Sequence, residues 1–221
     1  MKPKNKLDIG SVYNTNSSGY LEVVHYCCSS CVYVQFLSSG FVMRTMSSKI
    51  LTGSVKDPFF PSVFGVGYAG VGSHKRSNNR KNTKVYEAWR DMLRRSYSRV
   101  LHDRAPTYIG CSVFSEWHNF QVFAEWFYKN YVDGTDLDKD IKIDGNKVYG
   151  PDTCLFVSRK ENSRKASMKK WILKSPIGAT VVVYDLKEHC IKESLSVGRI
   201  YACSADKSLV HRGWEVIGCS L

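Results

Sequence analysis

The chain has 221 residues, 43% of them hydrophobic, and carries 32 Lys and Arg against 20 Asp and Glu. This length permits one or two domains with an additional small module. The formal net charge of +12 and an isoelectric point near 9.3 favour a polyanionic partner, nucleic acid before a membrane surface or an acidic protein. No apolar run approaches the roughly 18 residues of a transmembrane helix and no hydrophobic signal core follows the first residues, so the sequence predicts a cytoplasmic protein without membrane association.

The eight cysteines are expected to be reduced thiols in that compartment rather than a disulfide framework. Cys28 and Cys31 have the spacing of a zinc or redox pair. A structural zinc needs a second pair, and Cys203 and His211 are distant and loosely spaced, so no structural zinc is expected. Strand-like alternation after Cys31 predicts instead a hairpin turn that happens to carry cysteines.

Residues 1–72 predict a small β-rich module. Three short strands are expected at Tyr20–Tyr26, Val32–Phe36 and Phe41–Thr45. The Gly/Pro-rich segment after them contains Gly65-Val-Gly-Tyr-Ala-Gly70, which matches the dinucleotide fingerprint but opens no helix, so a loop is predicted there. A lone three-stranded sheet has a thin core and is expected to pack against another part of the chain.

Residues 73–83 contain no apolar side chain and no period, which predicts a flexible basic linker. The linker opens a basic stretch, since the chain from Lys75 to Arg104 has ten Lys and Arg and three acidic residues. Such a linker either lies along a DNA backbone and becomes ordered on binding or solvates a hinge, and both alternatives stay open.

Two amphipathic helices are predicted next. Apolar or small residues recur at helical spacing from Val85 to Ser96, and an aromatic-rich face runs from Glu116 to Tyr131. These faces are expected to form the wall of a core rather than platforms for stacked bases. The arginines that lie off the first stripe, and are therefore candidate nucleic-acid-binding residues, are Arg90, Arg94 and Arg95.

The segment from Leu137 to Ala166 has the order of parts of a compact metal-dependent nuclease site. An acidic strand, a turn and an apolar strand are followed by a helix that begins at Ser158, where Ser158-Arg-Lys-Glu161 is a capping box. Asp138 before the turn and Asn162 in the helix offer the hard oxygens that Mg²⁺ or Mn²⁺ takes. The alternative is an exposed hairpin whose charges pair across the strand.

This segment resembles, together with Val85-Tyr-Glu-Ala-Trp-Arg-Asp-Met-Leu, Tyr108-Ile-Gly-Cys and Glu116-Trp-His-Asn-Phe, the divergent HNH-type homing endonucleases of phages and mobile introns. The resemblance implies an α+β fold with a central ββα-metal (HNH-like) nuclease core at 84–171 that includes the two amphipathic helices. It also implies that the protein acts in a phage-infected bacterial host cell, and that the N-terminal sheet is either a DNA-binding accessory or a structural cap.

The resemblance also assigns roles to individual residues. Asp138 matches the acidic metal-binding position, and Asn162 matches the metal-binding residue on the helix. Lys139 stands where the family has its histidine general base, and Thr153 falls at or near the family's middle asparagine, so the chain departs from the pattern twice. Lys139 or Asp140 would have to deprotonate the attacking water. The candidate phosphate contacts are Arg159, Lys160 and Arg164.

Residues 172–221 predict a small C-terminal α/β module. A strand is expected at Thr180–Asp185, a partner strand at Ile191–Glu193 and a short helix or turn at Ser194–Ala202. This segment resembles the modular DNA-binding tails of intron-type homing endonucleases.

Three functions are compatible with the sequence. The first is a Mg²⁺- or Mn²⁺-dependent endonuclease of the homing type that acts on double-stranded DNA. The second is a catalytically inactive HNH-fold protein that binds DNA or inhibits another nuclease. The third is a basic structural component that binds a protein partner.

Overall fold

The computed structural model describes residues 7–143, 145–167 and 169–220, with side chains except at 164–167 and 220. The fold is mixed α+β, with 31% helix and 28% strand. Within the described ranges no helix is both long and apolar enough to cross a membrane. The chain divides into two compact units, Met1–Phe156 and Val157–Leu221.

The strands and helices alternate irregularly along the chain. The strands are β1 (Val12–Asn14), β2 (Tyr20–Cys28), β3 (Cys31–Phe36), β4 (Val42–Thr45), β5 (Ser77–Asn78), β6 (Lys81–Asn82), β7 (Ser112–Val113), β8 (Thr135–Asp138), β9 (Val148–Tyr149), β10 (Leu155–Ser158), β11 (Lys170–Lys174), β12 (Thr180–Val183) and β13 (Glu215–Ser220). The helices are α1 (Ser47–Leu51), α2 (Lys84–Tyr97), α3 (Arg99–Arg104), α4 (Phe120–Asn130), α5 (Arg159–Ser167), α6 (Leu186–Lys192) and α7 (Val197–Ala205), with short 3-10 helices at Pro106–Tyr108 and Ser115–His118.

The N-terminal sheet contains the three predicted strands and one more. Its antiparallel order is β1-β2-β3-β4, and the alternation of β3 buries Val32, Val34 and Phe36 on one face. A separate core of this unit is formed by that face together with Ile50 and Val55. The additional strand, β1, has only three residues, too few for an alternating pattern to predict it.

The predicted basic linker contains a short β-hairpin. β5 and β6 pair with Ser77 opposite Asn82 and Asn78 opposite Lys81. Asn79 and Arg80 form the turn with φ of 48° and 63°, and positive φ at both central residues is the property of a type I′ turn. Periodicity could not predict this hairpin because all six of its side chains are polar and exposed.

The predicted helix 85–96 is confirmed as α2. The residues of its apolar stripe are all buried: Val85, Trp89, Met92, Leu93 and Ser96. The predicted helix 116–131 is divided in the structure, because a 3-10 helix ends at His118 and α4 begins at Phe120. The side chain of Asn119 caps α4 by accepting from the Gln121 amide at 3.0 Å. Trp89 of α2 joins the two parts, since its indole N–H donates to the Trp117 carbonyl at 2.7 Å.

The glycine-rich loop at 65–70 is confirmed as a loop, and Gly67 and Gly70 have packing roles. A Cβ on Gly67 would overlap the side chains of Leu93 and Trp89. Gly70 has φ of 67° and lies against the Asn119 side chain, so a Cβ there would be both strained and blocked. Gly65 has open space around it and a φ of 76°, so its backbone conformation rather than packing favours glycine.

The second unit contains the antiparallel sheet β12-β11-β13 and helices α6 and α7 around a core of its own. The predicted strand at 180 is confirmed, but the predicted partner strand at Ile191–Glu193 is wrong, because 191 and 192 lie in α6. Asp185 caps that helix by accepting from the Glu188 amide at 3.0 Å. The true partner is β11, which places Trp171 opposite Val183.

Candidate functional site

Asp138 ends β8 and shapes the turn that follows. Its Oδ1 accepts from the backbone amides of Asp140 at 2.7 Å and Ile141 at 2.8 Å. A carboxylate that accepts from amides two and three residues on is an Asx-type turn. Oδ2 makes no hydrogen bond to the part of the chain that the structure describes, so Asp138 keeps one available acceptor oxygen.

Lys139 is buried, with 5% of its surface exposed. Its ammonium donates to Asp140 Oδ1 at 2.6 Å and to the Asn146 carbonyl at 2.9 Å, and it lies 5.7 Å from the centre of the Tyr149 ring. Asn146 also contacts Lys139, since its side-chain amide donates at 2.8 Å to the Lys139 carbonyl. Lys139 therefore fastens the two ends of the loop between β8 and β9.

Tyr149 connects this loop to α2. Burial raises the pKa of Tyr149, while the nearby Arg95 guanidinium acts to lower it. Arg95 is half-buried and lies 5.8 Å from the centre of the Tyr108 ring. Burial acts to lower the pKa of Arg95, but Tyr149 and Tyr108 act to raise it, and the net effect is a rise. Arg95 therefore stays protonated although its side chain is half-buried.

The other two arginines of α2 have exposed side chains. Arg94 forms a salt bridge with Asp91 one turn earlier at 3.3 Å. An exposed pair at this spacing contributes little to stability, about 0.3–0.5 kcal/mol. Arg90 and Arg94 can therefore meet a partner at the surface, whereas Arg95 is also a structural residue of the first unit.

Thr153, which the resemblance matches at or near the middle asparagine of the HNH-type pattern, closes the loop before β10. Its hydroxyl donates to the Val148 carbonyl at 2.7 Å, and the Gly150 carbonyl lies 3.3 Å from the same oxygen. The next residue, Cys154, is buried, and burial raises the pKa of its thiol to about 11. A neutral thiol of this kind is a core residue rather than a nucleophile.

The predicted capping box of α5 is confirmed in the second unit. The Glu161 amide donates to Ser158 Oγ at 3.2 Å, while Glu161 Oε2 accepts from the Ser158 amide at 3.1 Å and the hydroxyl at 2.7 Å. Asn162 follows in the first turn of α5 and is half-buried, and Arg159 and Lys160 are exposed. The predicted phosphate contact Arg164 has a side chain outside the described residues.

The structure thus brings together Asp138, Lys139 and Asp140 in the first unit, and Asn162, Arg159 and Lys160 on α5 in the second. Over the described ranges, no group of three or more His, Cys, Asp and Glu side chains is arranged to hold a metal ion. Asp138 alone offers a divalent cation one carboxylate oxygen, fewer than the several oxygen ligands such an ion prefers.

His118 is a partly buried titratable residue of the first unit that no sequence pattern singled out. Its Nε2 lies 3.1 Å from the hydroxyl of Tyr97, which itself accepts from the Val113 amide at 3.0 Å. The hydroxyl donates to Nε2 in one tautomer of the His118 ring and accepts from it in the other. The Glu116-Trp-His-Asn motif carried the residue, but nothing in the sequence places Tyr97 beside it.

Stability is expected to fall as the pH falls below about 6.5, the ordinary pKa of histidine. Burial lowers the pKa of His118, against a backbone hydrogen bond at Val113 that acts to raise it. The unfolded chain therefore takes up a proton at a higher pH than the folded chain does, which favours unfolding. Thermal denaturation between pH 7.5 and 5.5 measures this loss, and His118→Gln should reduce it. An unchanged pH dependence in the variant would assign the loss to other groups.

No family model, no curated protein and no solved structure matches this chain.

Proposed function

We propose that the protein binds double-stranded DNA through an HNH-like fold and does not cleave it. The observation that carries this proposal concerns Lys139, which stands at the position of the general base. Its ammonium is hydrogen-bonded to Asp140 and to the Asn146 carbonyl. Both contacts are made by donating protons, and a general base must instead accept one from a water within hydrogen-bond reach. Lys139 instead stabilises the loop between β8 and β9 from a buried position.

The choice of DNA as the partner rests on charge. The net charge is +12, and exposed cations occur on α2 at Arg90 and Arg94 and on α5 at Arg159 and Lys160. Each Lys or Arg that neutralises a phosphate releases counterions, which supplies most of the sequence-independent affinity for DNA. The resemblance to HNH-type endonucleases supports the same partner.

A second candidate is the metal-dependent endonuclease itself, with Asp138 as a ligand of Mg²⁺ or Mn²⁺ and with Asp140 as the base. One observation favours it, the available Oδ2 of Asp138. Against it stands the contact of Asp140 with the Lys139 ammonium, which occupies one of its carboxylate oxygens.

A labelled duplex and a supercoiled plasmid test the proposal. The logarithm of the binding constant should fall linearly with the logarithm of the salt concentration by several units, roughly 0.9 per neutralised phosphate. The plasmid should stay supercoiled with Mg²⁺ and with Mn²⁺ across pH 6–9. Alanine at both Arg90 and Arg94 should reduce the slope by about 1 per phosphate that is no longer neutralised, without a change in melting temperature.

Three other results would point to a different interpretation of the experiment. Nicking that Asp138→Ala abolishes while DNA affinity persists would replace the proposal by the endonuclease. Nicking that survives Asp138→Ala would indicate a contaminating nuclease. Binding that does not respond to salt would favour the third hypothesis, a basic protein with a protein partner.

A further inference from the structure

The hairpin Ser77–Asn82 presents polar side chains that the fold does not use. Each of its six side chains is exposed, and none makes a hydrogen bond to the described part of the chain. Four cations and no carboxylate lie at 75–81: Lys75, Arg76, Arg80 and Lys81. Asparagines occupy three of the six hairpin positions, so the ribbon carries amide donors and acceptors beside its cations.

The base of this hairpin is held firmly. The Thr83 hydroxyl lies 3.1 Å from the Lys75 carbonyl, the Thr83 amide donates to the Arg76 carbonyl at 3.0 Å, and the same hydroxyl caps α2 at the Tyr86 amide. Gln121 of α4 accepts from the His74 amide at 3.0 Å and donates to its carbonyl at 3.1 Å. The hairpin is therefore an ordered projection from the two helices of the central core.

We infer that this hairpin enters the major groove of duplex DNA. The inference rests on the proposed function and names the element that reads the duplex. Asn79 at the turn lies three positions after Arg76, and at ~3.3 Å per residue the ribbon reaches ~10 Å from its base. The major groove is ~8.5 Å deep and ~12 Å wide and admits a two-stranded ribbon, whereas the minor groove is only ~6 Å wide.

The side chains fit that environment. Arginine binds guanine with two hydrogen bonds and asparagine does the same with adenine, in both cases at base edges exposed in the major groove. Arg80 lies at the turn, and Asn78 and Lys81 are paired just behind it. A solvated turn would need none of this donor set, and it would gain from glycine at position 80, because Asn-Gly is the preferred pair for a type I′ turn.

The turn geometry supplies an unusually clean test. Arg80→Gly removes the cation and suits the positive φ of 63° at that position, so the melting temperature should stay the same or rise. The affinity for duplex DNA should fall roughly fivefold or more, as expected when an arginine that contacts a base is removed. Asn79→Gly is the matched control, because it suits the same turn and leaves the charge, and it should retain the wild-type salt slope.

A double variant and a second ligand complete the experiment. Arg80→Gly with Lys81→Gln should bind duplex DNA more weakly than Arg80→Gly alone, and its salt slope should fall by up to about 1, for a phosphate that Lys81 no longer neutralises. The major groove of duplex RNA is too narrow for side chains to read, so the same variants should leave duplex RNA binding unchanged. An equal loss of affinity for RNA would overturn groove entry and leave only a general effect of charge.

The results also separate this inference from the proposed function. If the wild-type protein binds duplex DNA and Arg80→Gly binds it equally well, the DNA-binding proposal stands and the hairpin does not enter the groove. If the wild-type protein does not bind duplex DNA, both fail.

Discussion

Replacing Lys139 by alanine is expected to lower the free energy of unfolding of the first unit by about 3 kcal/mol, within the range for large-to-small changes at buried positions. The aliphatic stem is buried, so its removal leaves a cavity, and the Asn146 carbonyl loses its donor. Asp140 adds little to this loss because its side chain is 45% exposed and water can solvate it. Urea denaturation followed by circular dichroism measures the change.

Two further variants show which part of Lys139 matters. Lys139→Met keeps most of the volume and should cost only about 1 kcal/mol, the net value of a typical hydrogen bond. Lys49→Ala, at an exposed lysine of α1, is the matched control and should change stability by less than about 0.5 kcal/mol. A stable Lys139→Ala protein would contradict the fastening role and make Lys139 a candidate catalytic group again.

Trp89→Ala is expected to have the largest effect of any single change, about 4–5 kcal/mol, since a fully buried tryptophan lies at the upper end of core truncations. Its ring is 0% exposed and packs edge-to-face on Phe120 at 5.5 Å between centroids. Trp89→Phe keeps much of the packing but leaves the Trp117 carbonyl without its donor, which should cost about 1–3 kcal/mol.

Tyr128→Ala on α4 is the matched aromatic control, because this side chain is 59% exposed. It should cost less than about 1 kcal/mol, as a surface substitution away from the core. Equal losses in Trp89→Ala and Tyr128→Ala would mean that the indole hydrogen bond and the buried stripe do not hold the core together.

Features that depend on local sequence periods were predictable. The stripe of α2 repeats at helical spacing, and the capping box at Ser158 requires only residues three positions apart. The α6 helix carries a similar signal, since Asp185 and Glu188 stand at the same spacing around buried Leu186. The β-branched Ile191 favoured a strand, and tertiary packing decided for the helix.

Features that depend on distant backbone groups were not predictable. The run Asp138-Lys-Asp140 alternates in charge as an exposed strand does, yet Lys139 is buried because its acceptor is the carbonyl of Asn146, seven residues on. Arg95 is likewise influenced electrostatically by a tyrosine more than fifty residues away. The order of residue types that resembles a nuclease motif could therefore be read from the sequence. The structural contacts that Lys139 and Arg95 make could not.

The distribution of buried indoles determines what an optical signal of this protein reports. Of its five tryptophans, Trp89, Trp117 and Trp126 belong to the first unit and Trp171 and Trp214 to the second. Intrinsic fluorescence consequently sums the states of both units, and a single emission trace cannot be assigned to either one. A chain that keeps only the Trp171 and Trp214 indoles would make the emission a selective reporter of the sheet β12-β11-β13 and its two helices.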